Sequence, residues 1–331
     1  MKNTILKTAA AVMMAASAIS CNKSEVTPAD AADTGTAEIS VIVNSCPFGV
    51  KAALSEDNER KVNNVQVFIF REDGSLDAYT SSEASSDVKV SCTTGRRSVK
   101  AIVNAPDLSG ISRLADLQKS MSSLSDNTLT SFVMTGSKEL DVNADQTLHL
   151  NVSRIAARLA VEKVSVAFTS QAYRNMDMKI RRIYAVNVAG NASYDLSAAP
   201  SVWYNKRAYE SSAVDALVID SAADGTISED RPYTTPSFFY VYPNPTEQDS
   251  QAEVFSARHT RIVVETELGG TTYYYPITIG NIVRNKKYTV TGLTITRPGS
   301  IDPDVPVTSS ECSFSISVND WEEGSEEEWT I

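Results

Sequence analysis

Histidine is almost missing from this chain: His149 and His259 are the only two among 331 residues. Each falls in or beside an expected strand, without the neighbours that imidazole chemistry needs. The sequence also lacks a G-x-S-x-G elbow, a P-loop, an H-E-x-x-H pair and a G-x-G-x-x-G turn, which removes the usual signatures of hydrolases, nucleotide-hydrolysing enzymes and dinucleotide-dependent enzymes. No enzymatic activity, cofactor or metal is expected. Cysteine is scarce as well. Beyond Cys21, the residues Cys46, Cys92 and Cys312 form an odd set at long separations with no C-x-x-C spacing, so zinc has no ligand pattern. One disulfide and three free thiols both fit. The acidic runs Glu322-Glu323 and Glu326-Glu327-Glu328 lack the ligand alternation of a calcium loop and read as solvated faces. Basic residues are outnumbered, 30 against 41, for a formal net charge of −11. Such a surface repels phosphate backbones, which argues against nucleic acid as a partner.

What is present begins with a leader. Lys2 and Lys7 supply positive charge, and Thr8 to Ile19 is an apolar, small-residue segment too short to cross a bilayer. It ends Ala18-Ile19-Ser20-Cys21, which resembles a bacterial lipobox, although Ala18 stands where leucine is usual. Residues 1–20 are thus expected to be a lipoprotein signal peptide, with Cys21 the acylated residue. Residues 21–35 have the polar, Ala/Pro/Asp composition of a flexible tether.

From Thr36 onward the chain reads as all-β with one or two short helices. Ile39, Val41 and Val43 alternate in Thr36–Asn44, the period-two pattern of a half-buried strand. Val62–Arg71 and Leu76–Thr80 flank the turn signal Glu72-Asp73-Gly74-Ser75. Asp87–Cys92 and Arg97–Asn104 are expected to pair as a hairpin across Thr93-Thr94-Gly95. Leu114, Leu117, Met121 and Leu124 fall at helical spacing, which predicts a helix over Ser112–Leu124 capped by Ser112. Further strands follow to Phe168. In the second half, Arg261–Glu267 and Thr271–Ile277 flank Leu268-Gly269-Gly270 as a hairpin, and Lys287–Thr296 is another strand. Tyr233, Tyr240, Tyr242 and Tyr273-Tyr274-Tyr275 could serve a carbohydrate surface or simply be strand residues. Pro298–Pro306 is a turn-rich connector. After it, Phe314, Ile316 and Val318 alternate with serine, and Trp321 follows. This last strand either completes its own domain or serves a neighbour's.

In order and spacing, several segments resemble the fimbrillins of Bacteroidia type V pili, particularly FimA-like major subunits. They are the leader to Cys21, KVNNVQVFIFREDGSLDAY (61–79), CTTGRRSVKAIVNAP (92–106), FVMTGSKELDV (132–142), RIAARLAVEKVSV (154–166), VRNKKYTVTGLTITRPGSIDP (283–303) and the ending FSISVNDWEEGSEEEWTI. The resemblance implies two β-sandwich domains of transthyretin-like topology, over residues 36–155 and 156–304, followed by a donor-strand segment at 305–331. It implies a structural pilus subunit without enzymatic activity, exported as a lipoprotein to the outer membrane and cell surface. There an extracellular trypsin-like protease removes the first strand, carrying Ile39, Val41 and Val43. The C-terminal strand of another copy, with Phe314, Ile316, Val318 and Trp321 as anchors, fills the vacated groove. The family's cleavage arginine has no counterpart at Cys46-Pro47-Phe48-Gly49, leaving Lys51 and Arg60 as candidates. A lipid-retaining anchor or a tip subunit, and a carbohydrate-binding surface lipoprotein, are the alternative functions.

Overall fold

Alternation sets the first strand. In β1 (Thr36–Ser45), Ala37, Ile39, Val41 and Val43 are buried and the residues between them are not. The computed structural model describes residues 35–45, 56–83, 85–211, 214–220, 223–247, 249, 254–321 and 326–330. A single turn, α1 (Glu56–Glu59), precedes β2 (Asn64–Arg71), whose six interior residues are all buried. β2 therefore has a core on each face, which is why VQVFIF is nearly continuous in apolar character. β3 (Leu76–Glu83) returns from it across Gly74, whose φ of 76° suits the tight turn.

β4 (Asp87–Thr93) alternates cleanly, and β5 (Gly95–Val103) follows after one residue. They do not form the expected hairpin: β4 pairs with β1, whereas β5 pairs with β2 and with β7 (Met134–Val142). The corner between them is held by polar side chains instead. Arg97 donates through Nη2 to Thr93 Oγ1 at 2.6 Å and to the Thr94 carbonyl at 2.7 Å, and the Thr93 N–H donates to Asp77 Oδ2 at 2.9 Å. With Gly95 at φ 120°, the chain turns a corner and passes to the opposite layer.

The expected helix is shorter than its apolar spacing. α2 covers Leu114–Lys119, then Met121–Ser123 extends as β6 and Leu124–Asp126 forms a 3-10 turn. β6 is drawn out by pairing with Asn191–Ser193. Ser112 does not cap: its carbonyl accepts from the Leu76 N–H at 2.9 Å, and Arg113 occupies the N-cap.

Seven strands run in the order β3-β2-β5-β7-β8-β1-β4, with β8 covering Gln146–Arg154. Two residue pairs join β7 to β8, so the order divides into leaves β3-β2-β5-β7 and β8-β1-β4. One core lies between them, built from alternating residues such as Ile39, Val41, Val67, Ile69, Val90 and Leu150.

The expected boundary at 155/156 falls between β8 and β9 (Ala157–Val161), which β10 (Val164–Val166) and β11 (Met178–Val186) follow. Short strands β12 to β16 (Val188–Ala189, Asn191–Ser193, Trp203–Tyr204, Ile219–Asp220 and Gly225–Ile227) and α3 (Asp215–Val218) lead to β17 (Ser237–Val241). β18 (Thr260–Leu268) and β19 (Thr271–Ile279) form the expected hairpin across Gly269 and Gly270, at φ 59° and 83°. β20 (Lys286–Ile295), β21 (Cys312–Asp320) and β22 (Glu326–Thr330) close the chain. One sheet runs β17-β9-β20-β21-β22 and another β15-β11-β18-β19. Their core also takes in Phe68, Phe70, Ile102 and Phe132, so the two halves share buried surface. The molecule is all-β with short helices.

Candidate assembly site

β1 lies inside its sheet. It runs parallel to β8 from Ile39 opposite Gln146 to Ser45 opposite Val152, and antiparallel to β4 from Thr36 opposite Thr93 to Ile42 opposite Asp87. Ile39 and Val41 have no exposed surface, and Val43 is 3% exposed. Each such side chain stabilises the strand by about 1.5–3 kcal/mol through burial. The side-chain ties around it are superficial: Glu38 N–H to Asp145 at 2.8 Å, Ser40 Oγ to Asp87 at 2.9 Å, and the exposed Lys89–Glu38 ion pair at 2.8 Å. Exposed pairs of that kind contribute little. Strand β1 is thus held mainly by two ladders and one apolar face, and its removal would open both together.

Arg60 follows α1 and is half-buried. A cavity of about 590 Å³ separates it from the end of β1, lined by Val43, Asn44, Ser45, Arg60, Val62, Ser86 and Asn151. Lys51 and Cys21 lie outside the described residues, as does Cys46. Cys92 and Cys312 are buried free thiols. His149 is exposed and His259 half-buried. Among the described residues, no group of three or more His, Cys, Asp or Glu side chains is arranged to hold a metal ion.

The C-terminal strand is docked on its own chain. β21 pairs antiparallel with β20 from Cys312 opposite Ile295 to Asp320 opposite Lys286, with a bulge between Val290 and Gly292, and β22 covers its other side. Of the candidate anchors, Ile316 and Trp321 are 9% and 4% exposed, while Phe314 and Val318 are half-buried. The connector before β21 is pinned. Arg258, buried, pairs with Asp304 at 2.5 Å, and Arg261 reaches the same carboxylate at 3.3 Å.

A residue the sequence reading passed over brings the two ends together. Glu59, the last residue of α1, is 4% exposed. Its Oε1 accepts from the Tyr240 hydroxyl at 2.5 Å and from Arg158 Nη1 at 3.3 Å, and its Oε2 accepts from the Trp321 indole N–H at 2.9 Å. Its main-chain carbonyl accepts from Arg154 Nε at 2.9 Å. The Trp321 ring stacks near Tyr240 at 5.8 Å, meets Phe132 edge-on at 6.1 Å and lies under the Arg154 guanidinium at 4.6 Å. Burial first, then the Glu59 carboxylate, pushes the Tyr240 phenol well above its ordinary value. Of the six tyrosines considered for carbohydrate stacking, Tyr240, Tyr242 and Tyr275 are buried core residues, and Tyr233, Tyr273 and Tyr274 are half-buried.

Comparison with known proteins finds a fimbrial family over part of the chain and a shared fold over most of it. Residues 22–168 match the model of the family described as Major fimbrial subunit protein (FimA). No curated protein sequence matches the chain. A fimbrilin from Porphyromonas gingivalis shares the fold at TM-score 0.61 and 17% identity, over 88% of this chain and 99% of that one. A proposed cell adhesion protein from Parabacteroides distasonis superposes at TM-score 0.65 and 20% identity, over 86% and 97%. The C-terminally truncated tip fimbrial protein Mfa3 of Porphyromonas gingivalis does so at 0.54 and 13%, over 86% and 100%.

Proposed function

We propose that this chain is a structural subunit of a surface fimbria, placed in the stalk and serving cell adhesion, which polymerises when a protease removes its first strand. In this reading residues 36–155 and 156–304 are two sandwich domains of the subunit, and residues 305–331 join it to the next. The observation that carries the proposal is the position of β1. It is an interior strand whose whole apolar face is buried between β8 and β4, yet few side-chain ties hold it. A cut at Arg60, or at Lys51, severs β1 from the rest of the chain. The groove left behind presents ladder groups on both edges and an apolar floor, which is the site that strand addition fills.

The donor is the 305–331 segment of another copy: Phe314, Ile316 and Val318 keep the alternation that fills the row left by residues such as Ile39, Val41 and Val43, and Trp321, three residues on, anchors beyond that row. Burial of three or four such side chains supplies about 1.5–3 kcal/mol each before ordering costs, and the ladder hydrogen bonds to both edges of the groove add to it. The contact is head-to-tail and does not close on itself, so repetition generates a filament. Before processing, acyl chains on Cys21 hold the precursor at the outer membrane. A subunit that escapes the cut keeps them and acts as an anchor.

Trypsin treatment of the purified precursor, followed by N-terminal sequencing, native gels and electron microscopy, tests the proposal. New termini after Lys51 or Arg60 together with filaments are expected. Monomers that persist after loss of residues 36–45 would overturn it.

A further inference from the structure

The carboxylate of Glu59 sits across one end of the sheet that carries β21. Arg158 on β9 faces Tyr240 on β17 in one ladder and Lys287 on β20 in the other. Lys286, beside it, faces Asp320, the last residue of β21, and pairs with it at 2.5 Å. Trp321 comes next, its N–H bound to Glu59 and its main-chain N–H donating to the Asn285 carbonyl at 3.0 Å. The site is specific for a carboxylate: a phenol, a guanidinium and an indole N–H converge on two oxygens, and bonds of this charged kind are the stronger ones. Arg158 depends on that carboxylate, since it is 7% exposed, its Nε has no hydrogen-bond partner, and Glu59 is its ion pair.

We infer that Glu59 is a latch, through which the segment ahead of Arg60 holds the C-terminal strand of the same chain in place. The inference rests on the proposed function for its purpose, though not for its geometry. Glu59 lies on the N-terminal side of Arg60, so a cut after Arg60 separates it from the body of the subunit together with β1. When that peptide leaves, Trp321 loses its acceptor, Arg158 its counter-charge and Arg154 the Glu59 carbonyl. These losses fall at the end of β21 from which peeling off β20 must start. A single cleavage then both empties the acceptor groove and loosens the donor, and an uncut subunit keeps its donor docked. A cut at Lys51 alone leaves Glu59 covalently attached and the latch closed.

Hydrogen exchange and alkylation of the Cys312 thiol, both read by peptide mass spectrometry on the full chain, test the latch without requiring polymerisation. In the uncut protein, Glu59→Ala is expected to speed Cys312 alkylation and exchange over Cys312–Asp320 by about tenfold or more, the effect of losing one hydrogen bond to a charged group. Exchange over Asn64–Arg71 should speed up by no more than the global stability lost in urea unfolding of the same variant, with the increase over Cys312–Asp320 exceeding it. Unchanged protection of β21 overturns the inference. If Glu59→Ala loosens Asn64–Arg71 to the same degree, Trp321→Phe decides, because it leaves the carboxylate in place, keeps a smaller aromatic ring and removes the N–H. Faster exchange confined to β21 upholds the latch, and no change overturns it. In a trypsin arm, release of the peptide ending at Arg60 with Cys312 still protected overturns the latch while leaving groove vacation intact. Failure of the peptide to leave counts against the proposed function, and the uncut variants then decide the latch.

Discussion

The indole N–H of Trp321 donates to Oε2 of Glu59 at 2.9 Å, joining residues 262 positions apart. The bond belongs to a buried cluster in which the same carboxylate also meets Arg158 and Tyr240. Removing one partner from a buried ionic cluster costs more than the cluster itself contributes, because the remaining charge stays desolvated.

Glu59→Ala should accordingly destabilise the uncut protein by about 3–5 kcal/mol in urea unfolding. Glu59→Gln, which keeps an acceptor for Trp321 but not the charge for Arg158, should cost less. Trp321→Phe should cost about 1–3 kcal/mol, since it leaves the carboxylate one donor short. Equal losses for all three would mean that packing, not the carboxylate, holds the cluster.

The first strand gives a second prediction, one that distinguishes precursor from processed subunit. Ile39 has no exposed surface and contributes to the core between the two leaves. Ile39→Ala should lower the stability of the precursor by about 2–5 kcal/mol. After tryptic release of β1 the variant and the parent are the same molecule, so their unfolding curves and filament yields should coincide. The variant should also release its N-terminal peptide sooner.

A third concerns the corner at Thr93-Thr94-Gly95. The Asp77 carboxylate, 1% exposed, accepts from Arg97 Nε at 2.9 Å, from Arg71 and from the N–H and hydroxyl of Thr93. Asp77→Ala should cost about 3–5 kcal/mol by leaving Arg97, itself buried, without its carboxylate. The loss should appear first as faster hydrogen exchange in β4 and the corner. Gly95→Ala should also destabilise, since φ 120° is strained for any residue with a Cβ.

Strand positions and two hairpins were legible because their signals are local: alternation in β1 and β4, and glycines at Gly74 and at Gly269-Gly270 where φ is positive. The partner of β4 was not legible. Thr93-Thr94-Gly95 looks like a hairpin turn until Arg97 and Asp77 are seen to bind it, and Asp77 is 16 residues from Thr93. The helix over Ser112–Leu124 was overestimated because apolar spacing does not reveal that Met121–Ser123 finds a strand partner 70 residues away at Asn191–Ser193. Glu59 gave no signal in the polar run Ser55-Glu56-Asp57-Asn58-Glu59. Its partners did: Arg154 and Arg158 stand inside the apolar segment RIAARLAV, and arginines buried there require distant acceptors.

The buried acids of high pKa supply the last prediction, a loss of stability in alkali. Burial pushes the Cys312 thiol up to about 12 from an ordinary 9.0, and the Tyr194 phenol up to about 12 from 10.0. The Tyr184, Tyr240, Tyr242 and Tyr275 phenols are raised further, again chiefly by burial. All of these groups are neutral when protonated and have folded values above their unfolded ones. Their contribution is therefore complete below the unfolded values and declines as pH rises through the folded ones, because the unfolded chain releases protons that the native chain retains. Each group removes about 1.4 kcal/mol per pH unit within its window. The urea midpoint should hold steady to pH about 8.5 and then fall steeply above pH about 10 as the phenols join the thiol. Tyr240→Phe should make that fall shallower, since it deletes one titrating group. It should also lower the midpoint at neutral pH, since Glu59 loses a donor. A Tyr240→Phe variant whose alkaline slope matched the parent's would show that this phenol ionises as readily in the native protein as in the unfolded chain, and the carboxylate cluster would then have to be more open to water than its burial implies.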